Sequence, residues 1–257
     1  MKKNSVISVL LILVLVLTLC TGCAKENKYV NVGVEMSTAG LSLYLTNTAQ
    51  KLESISTYVF FSDDIDETFE KISKDEQGID ISYISVDELS RIKPDSNFRV
   101  VFIDCFEESG ELKGVWIARD GWLENAPNYS RRYIRGLVKS ADYRASHMSL
   151  SYEDALASIE GMRDFDFSVQ NDTLQFVAVF DQSNDDEIAD VKFEVKSAKE
   201  LRDMFEGFEA GSGEGYELCR AAYYKYCTAT DAMSFEEMFS LDMMIEALDE
   251  VLNQEEN

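Results

Sequence analysis

The chain has 257 residues and a formal net charge of −24 at neutral pH, which becomes −26 if Lys2 and Lys3 are removed with a leader. So acidic a chain lacks the basic surface that phosphate contacts require, which excludes nucleic acid as a partner. The acidic residues recur throughout, which favours a solvated surface over a cation site. We expect no metal site and no cofactor. Apolar content is ordinary, so the mature chain can form one large core or two small ones.

The histidine and cysteine content limits the kinds of catalytic and metal site that the chain can form. His147 is the single histidine, which excludes a two-histidine metal motif and leaves no nucleophile–base pair for a hydrolase. The chain is therefore not expected to be an enzyme. Beyond the leader the cysteines are Cys105, Cys219 and Cys227. The last two lie two turns apart in a helical pattern, about 12 Å, which is too far for a disulfide.

Residues 1–22 have the pattern of a secretion signal. Lys2 and Lys3 precede an apolar run over residues 6–19, which is too short to span a membrane. Gly22-Cys23 then resembles a bacterial lipoprotein cleavage box, in which Cys23 becomes the acylated first residue. An ordinary secretory signal or an uncleaved anchor remains the alternative. Lipidation predicts a protein on the outer face of the cytoplasmic membrane, held there by acyl chains such as palmitate.

The first predicted strand covers residues 29–35, and a helix is predicted over residues 41–53. Ser37 and Thr38 lie in the small-residue loop between them. Free backbone N–H groups at a helix N-terminus suit an anion, so these two residues are candidate ligand contacts. Simple N-capping by the same hydroxyls is the alternative.

The next elements alternate in the same way. A strand is predicted over residues 57–61, followed by a helix that Ser62 or Asp63 would cap. Residues 78–119 then hold three short apolar runs that predict strands. Between the first two runs, Ser85 and Glu88 have the spacing of a capping box for a short helix.

This order predicts an α/β fold with a doubly wound, mostly parallel sheet and a mainly helical C-terminal part. The carboxyl ends of such strands form the edge where ligands bind. After the strand ending at Arg119, Pro127 marks the entry to a long helix over residues 129–145. This helix carries Arg131, Arg132, Arg135, Lys139 and Arg144. A solvated face paired with nearby carboxylates is favoured for these cations over a partner-docking patch.

The remaining chain is predicted as an α+β extension over residues 164–257, after a main α/β domain over residues 23–163. A helix over residues 151–159 is predicted at the end of the main domain. In the extension, helices are predicted over residues 197–208 and 216–227, and strands over residues 174–180 and 191–195. Ser234 and Glu237 open one last helix with an apolar seam.

Several of these segments together resemble a known family. They are Val-Asn-Val-Gly-Val at 30–34, Gly-Ile-Asp-Ile-Ser-Tyr-Ile-Ser at 78–85, Gly-Val-Trp-Ile-Ala-Arg at 114–119, Asn-Ala-Pro at 125–127 and Arg-Arg-Tyr-Ile-Arg-Gly-Leu at 131–137. In this order they resemble the lipid-anchored substrate-binding proteins of bacterial ABC importers for nitrate, sulfonates, taurine and thiamine precursors. The resemblance implies a type II periplasmic-binding-protein fold, a small-molecule ligand, an ABC permease as partner and a membrane reached through the lipid anchor.

The resemblance also implies a site and shows one departure. By position, the family's pocket would use Ser37, Thr38, Tyr83, Ser85 and Asp104. Family members carry a second lobe where residues 104–113 stand here, so that lobe is expected to be missing or greatly reduced. The first hypothesis is therefore a solute-binding lipoprotein. The alternative is a single-lobe surface lipoprotein that meets a protein partner or has a regulatory role.

Overall fold

The structure, a computed structural model, describes residues 29–35, 53–62, 64–74, 78–107, 109–142, 145, 194–229 and 231–255. The strands are β1 (Tyr29–Glu35), β2 (Ser56–Ser62), β3 (Ile81–Ser85), β4 (Phe98–Phe106), β5 (Leu112–Arg119) and β6 (Glu194–Val195). The α-helices are α1 (Ile65–Ile72), α2 (Asp120–Asn125), α3 (127–142), α4 (Ala198–Met204), α5 (Glu214–Tyr226), α6 (Phe235–Met238) and α7 (Asp242–Glu255). Short 3-10 helices cover Val86–Arg91 and Phe208–Ala210.

The six strands of the described residues form one mixed sheet in the order β2-β1-β3-β5-β4-β6. β1 pairs in parallel with β2 and β3, whereas β5 lies antiparallel between β3 and β4, and β6 is antiparallel to β4. The first four strands therefore run in one direction, and their carboxyl ends meet at one edge, called here the carboxyl edge. The predicted α/β class is confirmed, but the sheet is mixed rather than mostly parallel, because the short turn after β4 returns the chain as the antiparallel strand β5.

Two predicted helix caps are wrong in detail. The N-cap of α1 is Asp64, whose side chain accepts from the backbone N–H of Asp66 at 2.8 Å. After β3, Ser85 is the N-cap by position, but its side chain does not bond the helix end, and Glu88 pairs with Arg91 instead. The segment is a 3-10 helix rather than an α-helix, because the chain completes only this tight turn before Pro94.

The C-terminal segments share the core of the sheet. Leu201 of α4 and Leu248 of α7 belong to the same buried cluster as Ile103 of β4 and Leu137 of α3. The apolar stripe predicted for the long helix is buried, as expected of a helix packed on a sheet. The domain boundaries at residues 22, 163 and 257 remain predictions, and residues 146–193 lie outside the described part of the chain.

The predicted last helix is divided in two. α6 ends at Met238, and the next residues run alongside β4: Phe239 forms a bridge with Val100, and the Ser240 N–H donates to the Val100 carbonyl at 2.9 Å. β6 covers the other half of the same strand, pairing with Cys105 and Phe106. The outer edge of β4 is thus protected by two C-terminal segments, which removes an exposed template for aggregation.

Cys105, Cys219 and Cys227 are free and buried, which confirms that the last two do not form a disulfide. Burial raises the pKa of the Cys219 and Cys227 thiols, so both are poor nucleophiles. Within the described ranges, no helix has both the length and the apolar character needed to cross a bilayer.

Candidate functional site

The carboxyl edge is the candidate site, because the carboxyl ends of four strands meet there. β3 ends at Ser85 and leads into the 3-10 helix, and β4 leads into the turn over residues 107–111. Ser37 and Thr38, expected after β1, lie outside the described residues. Their place in the site remains a prediction.

Tyr83 is buried in the sheet, with its hydroxyl donating to the Cys105 sulfur at 3.7 Å. Its ring lies directly over the backbone of Gly114 on the neighbouring strand. A Cβ added at Gly114 would stand 2.1 Å from the Tyr83 hydroxyl oxygen, which is far inside van der Waals contact. Gly114 is therefore the residue that allows Tyr83 to lie flat against β5.

Asp104 is also fully buried, and its carboxylate accepts a hydrogen bond from the Trp116 indole N–H at 3.0 Å. The Trp116 ring in turn contacts Tyr83 edge to face, with ring centroids 5.9 Å apart. The structure thus brings Asp104 and Tyr83 together through a residue that lies between them. We call Tyr83, Asp104 and Trp116 the core triad.

Ser85 lies on the same face of the sheet as the core triad. Tyr83 pairs with Trp116, and Ser85 pairs with Gly114, so the β-strand alternation places these side chains on one side. Unlike the buried triad, Ser85 is only half-buried. Of these residues, Ser85 is the one with surface that a solute at the carboxyl edge can contact, since Tyr83 and Asp104 are buried.

The C-terminal part borders this edge. α5 packs against the 3-10 helix that follows β3. Its Lys225 pairs with Glu111 of the β4–β5 turn at 3.0 Å, and Lys93 lies 3.9 Å from Asp231. Sequence reasoning missed α5 as a neighbour of the site, since no local pattern reports which strand ends a distant helix will face.

The cations of α3 are used mainly inside the chain. Arg135 binds the buried carboxylate of Glu53 through two hydrogen bonds of 3.0 and 2.6 Å, and Lys139 adds a third at 2.6 Å. Arg132 donates to the backbone carbonyls of Glu53 and Ser54. These contacts agree with the paired-face interpretation of the helix. Arg144 lies outside the described residues.

Glu53 gives a testable pH dependence. Burial raises the pKa of Glu53, but the hydrogen bonds and positive charge of Arg135 and Lys139 lower it by more than burial raises it. The net pKa therefore lies below the ordinary value of 4.5. The ion cluster therefore stabilises the fold above that value and loses its contribution as pH falls through the folded-state pKa. We expect Glu53→Gln to lower the free energy of unfolding by about 2 kcal/mol at pH 7 in urea titrations, and by less near pH 4.

Glu250→Gln is the matched control for Glu53→Gln. Glu250 also binds Arg135, at 3.1 Å, but its side chain is largely exposed, so we expect a loss below about 1 kcal/mol. Equal losses in the two variants, or a Glu53→Gln deficit that does not change with pH, would contradict the assignment.

The described residues contain no group of histidine, cysteine, aspartate and glutamate side chains arranged to hold a metal ion. The site as described offers hydroxyls, buried aromatic rings and one buried carboxylate. Tyr83, Asp104 and Trp116 are almost fully buried and contact one another, so a solute at the carboxyl edge would contact Ser85 rather than these side chains.

Comparisons with known proteins bear on the fold. Searches against protein families and against curated proteins find no match. One similar solved structure is the ligand-binding component of an ABC-type import system from Staphylococcus aureus, crystallised with zinc bound. It is 8% identical, with a TM-score of 0.54, and the match covers 86% of this chain and 99% of that one.

A second similar structure is a Candida albicans protein described as defining a new family with the generic periplasmic binding protein fold. It is 7% identical, with a TM-score of 0.39, over 51% of this chain and 80% of that one. The described residues form an α/β fold with a six-stranded mixed sheet, and this fold is similar to that of the import component. The similarity concerns the fold alone.

Proposed function

We propose that the chain is the solute-binding component of an ABC import system, which captures a small ligand outside the cell and passes it to a permease. The observation that carries the proposal is the fold similarity to a ligand-binding import component over nearly that component's whole length. The direction of β1 to β4 adds to it, since the four strand ends form a shared carboxyl edge with Ser85 at its surface.

The proposal includes a lipid anchor at Cys23 and a position on the outer face of the cytoplasmic membrane. Its support is the signal-like leader followed by Gly22-Cys23. The ligand class is a sulfonate-like or nitrate-like anion or a thiamine precursor, which the sequence resemblance favours. The protein performs no chemistry in this role and needs no cofactor.

A variant at Ser85 tests whether the carboxyl edge binds the solute. We expect Ser85→Leu to weaken binding of a responsive ligand at least tenfold in calorimetric titrations, because the larger apolar side chain removes a hydroxyl and fills the edge. Thermal unfolding should remain cooperative, since Ser85 is only half-buried.

Ser109→Leu is the control for Ser85→Leu. Ser109 is exposed in the turn between β4 and β5, at the same end of the sheet but outside the core-triad face. Its replacement should leave the affinity unchanged. Unchanged affinity in Ser85→Leu, or an equal loss in both variants, would remove Ser85 from the site.

A single-lobe surface lipoprotein with a protein partner is the second candidate function. The observation that favours it is the direct connection of β4 to β5 through residues 107–111, at the place where the resembling family inserts a second lobe. A half-cleft encloses a solute less completely than a closing pair of lobes. This candidate predicts a folded protein that binds none of the proposed solutes.

A further inference from the structure

Two exposed tyrosines lie together at the amino-terminal end of the sheet. Tyr29 and Tyr58 retain 36% and 40% of their accessible surface, and their rings meet edge to face with centroids 4.5 Å apart. Tyr29 is the first residue of β1, and Tyr58 lies in the amino-terminal half of β2 beside it. A single exposed aromatic side chain is common on a protein surface. Two that contact each other, at the end of the sheet where β1 begins, form a distinct surface patch.

The same end of the sheet carries positive charge, on half-buried Arg132 and exposed Arg131. Arg132 of α3 donates to the carbonyls of Glu53 and Ser54, immediately before β2. These are neutral acceptors, so within the described residues its charge is not neutralised by a carboxylate. Arg131 beside it is 65% exposed, and Glu246 approaches it only to 4.0 Å.

The short segment between Cys23 and Tyr29 limits which end of the sheet can lie close to the membrane. Six residue steps span at most about 21 Å, so an acylated Cys23 keeps the start of β1 close to the bilayer. β1 itself has seven residues and rises about 20 Å from Tyr29 to the carboxyl edge. The carboxyl edge could reach the same bilayer only if the segment from Cys23 to Tyr29 were fully extended and ran alongside β1 toward that edge.

Charge also favours this end of the sheet as the one that lies near lipid. A chain of net charge −24 is repelled by anionic lipid over most of its surface. Arginine side chains near a bilayer are attracted to anionic headgroups, and tyrosine places an apolar ring and a polar hydroxyl at the interface. The end of the sheet nearest the tether therefore has the two side-chain types that suit a lipid surface.

We infer that the anchor edge, defined as Tyr29, Tyr58, Arg131 and Arg132, docks on the anionic lipid surface that holds the acylated Cys23. The carboxyl edge with Ser85 then faces the medium from which a solute arrives. This inference rests on the lipid anchor included in the proposed function.

The test measures how close each edge lies to lipid. The full chain, produced in a bacterial host and purified from membranes, is reconstituted into vesicles that contain phosphatidylglycerol. Tyr58→Cys and Ser109→Cys are each labelled with a fluorophore, which the buried native thiols will not take up. Quenching by a headgroup nitroxide lipid should be severalfold stronger at position 58 than at position 109, and Arg131→Glu should reduce that difference.

Equal quenching at the two positions, or stronger quenching at position 109, overturns the inference. Mass spectrometry of the same samples reports the acyl group on Cys23, and a chain without it also overturns the inference because no tether exists. Ligand titration on the same vesicles separates the two proposals. If the solute still binds but quenching is stronger at position 109, the proposed orientation is rejected and solute capture stands. If quenching is stronger at position 58 but no solute binds, solute capture is rejected and the orientation stands.

Discussion

Arg119→Met is expected to lower the free energy of unfolding by about 3–5 kcal/mol, because it leaves a buried carboxylate without its cation. The Asp80 carboxylate is buried at the amino-terminal end of β3, where it accepts from Arg119 at 2.7 Å and from the Asn31 backbone N–H at 2.9 Å. Only 10% of the Arg119 side chain is exposed. Urea denaturation at pH 7 measures the loss.

The pH dependence of the Arg119→Met variant has a definite sign. Burial raises the pKa of Asp80 above 3.8, and the hydrogen bonds from Asn31 and Arg119 only partly oppose it. A raised folded-state pKa means that the native protein holds the proton more tightly than the unfolded chain, so stability from this group falls as pH rises. Without Arg119 that pKa rises further, and the deficit of the variant should therefore grow between pH 4 and pH 7.

Arg99→Met is the matched control for Arg119→Met. Arg99 binds Asp120 through two hydrogen bonds, but 36% of its side chain is exposed, so water compensates for much of the loss. We expect a change within about 1 kcal/mol. Similar losses for the two arginines would show that burial does not govern the Asp80 pair.

Trp116→Ala is the second large effect, with an expected loss of about 3–5 kcal/mol from the emptied volume. Trp116 is buried between Tyr83 and Asp104, which makes it the centre of the core triad. Trp116→Phe keeps most of the ring but removes the indole N–H donated to Asp104, and its expected cost is about 1–3 kcal/mol. Chemical denaturation of both variants gives the two values.

A double-mutant cycle with Asp104→Asn isolates the hydrogen bond. In the Asp104→Asn background Trp116→Phe should cost less than in the parent, because a neutral amide oxygen is a weaker acceptor than a carboxylate. Additive effects of the two substitutions would mean that the indole N–H contributes nothing specific to holding Asp104.

The sheet was largely predictable because its strands are short apolar runs between turn signals. The predicted strand over residues 29–35 coincides with β1, and the prediction over residues 57–61 lies within β2. The helical pattern after Pro127 likewise gave α3. These elements are specified by local alternation or periodicity, which needs no knowledge of distant residues.

The division of the predicted last helix into α6 and α7 could not be predicted from the local sequence. Ser234 and Glu237 begin a helix as expected, and the apolar seam continues without interruption. The helix nevertheless ends at Met238, because Phe239 and Ser240 pair with Val100 on the edge of β4. A long-range strand contact of this kind overrides local propensity and has no local sequence signal.

The candidate site was predictable only in part. Tyr83, Ser85 and Asp104 were named from the resemblance, and the structure places the first two on β3 and Asp104 on β4, with β5 and its Trp116 between them. Trp116 was missed, because its contacts depend on the register between β3 and β5, which a single sequence specifies weakly. The Gly114 that allows Tyr83 to lie flat is the signal that could have indicated this register.

A thermal-shift screen of the soluble chain from Ala24 onward tests solute capture most directly. The ligands are sulfonates, nitrate, pyrimidine thiamine precursors and small amines, each at concentrations up to saturation. A ligand at 100 times its dissociation constant adds about 2.7 kcal/mol of stability, which corresponds to about 5–10 °C in a protein of this size. The account predicts a saturable shift with at least one of these ligands, reduced in Ser85→Leu. A cooperatively folded sample that shows no shift with any of them would contradict solute capture and favour the single-lobe, partner-binding function.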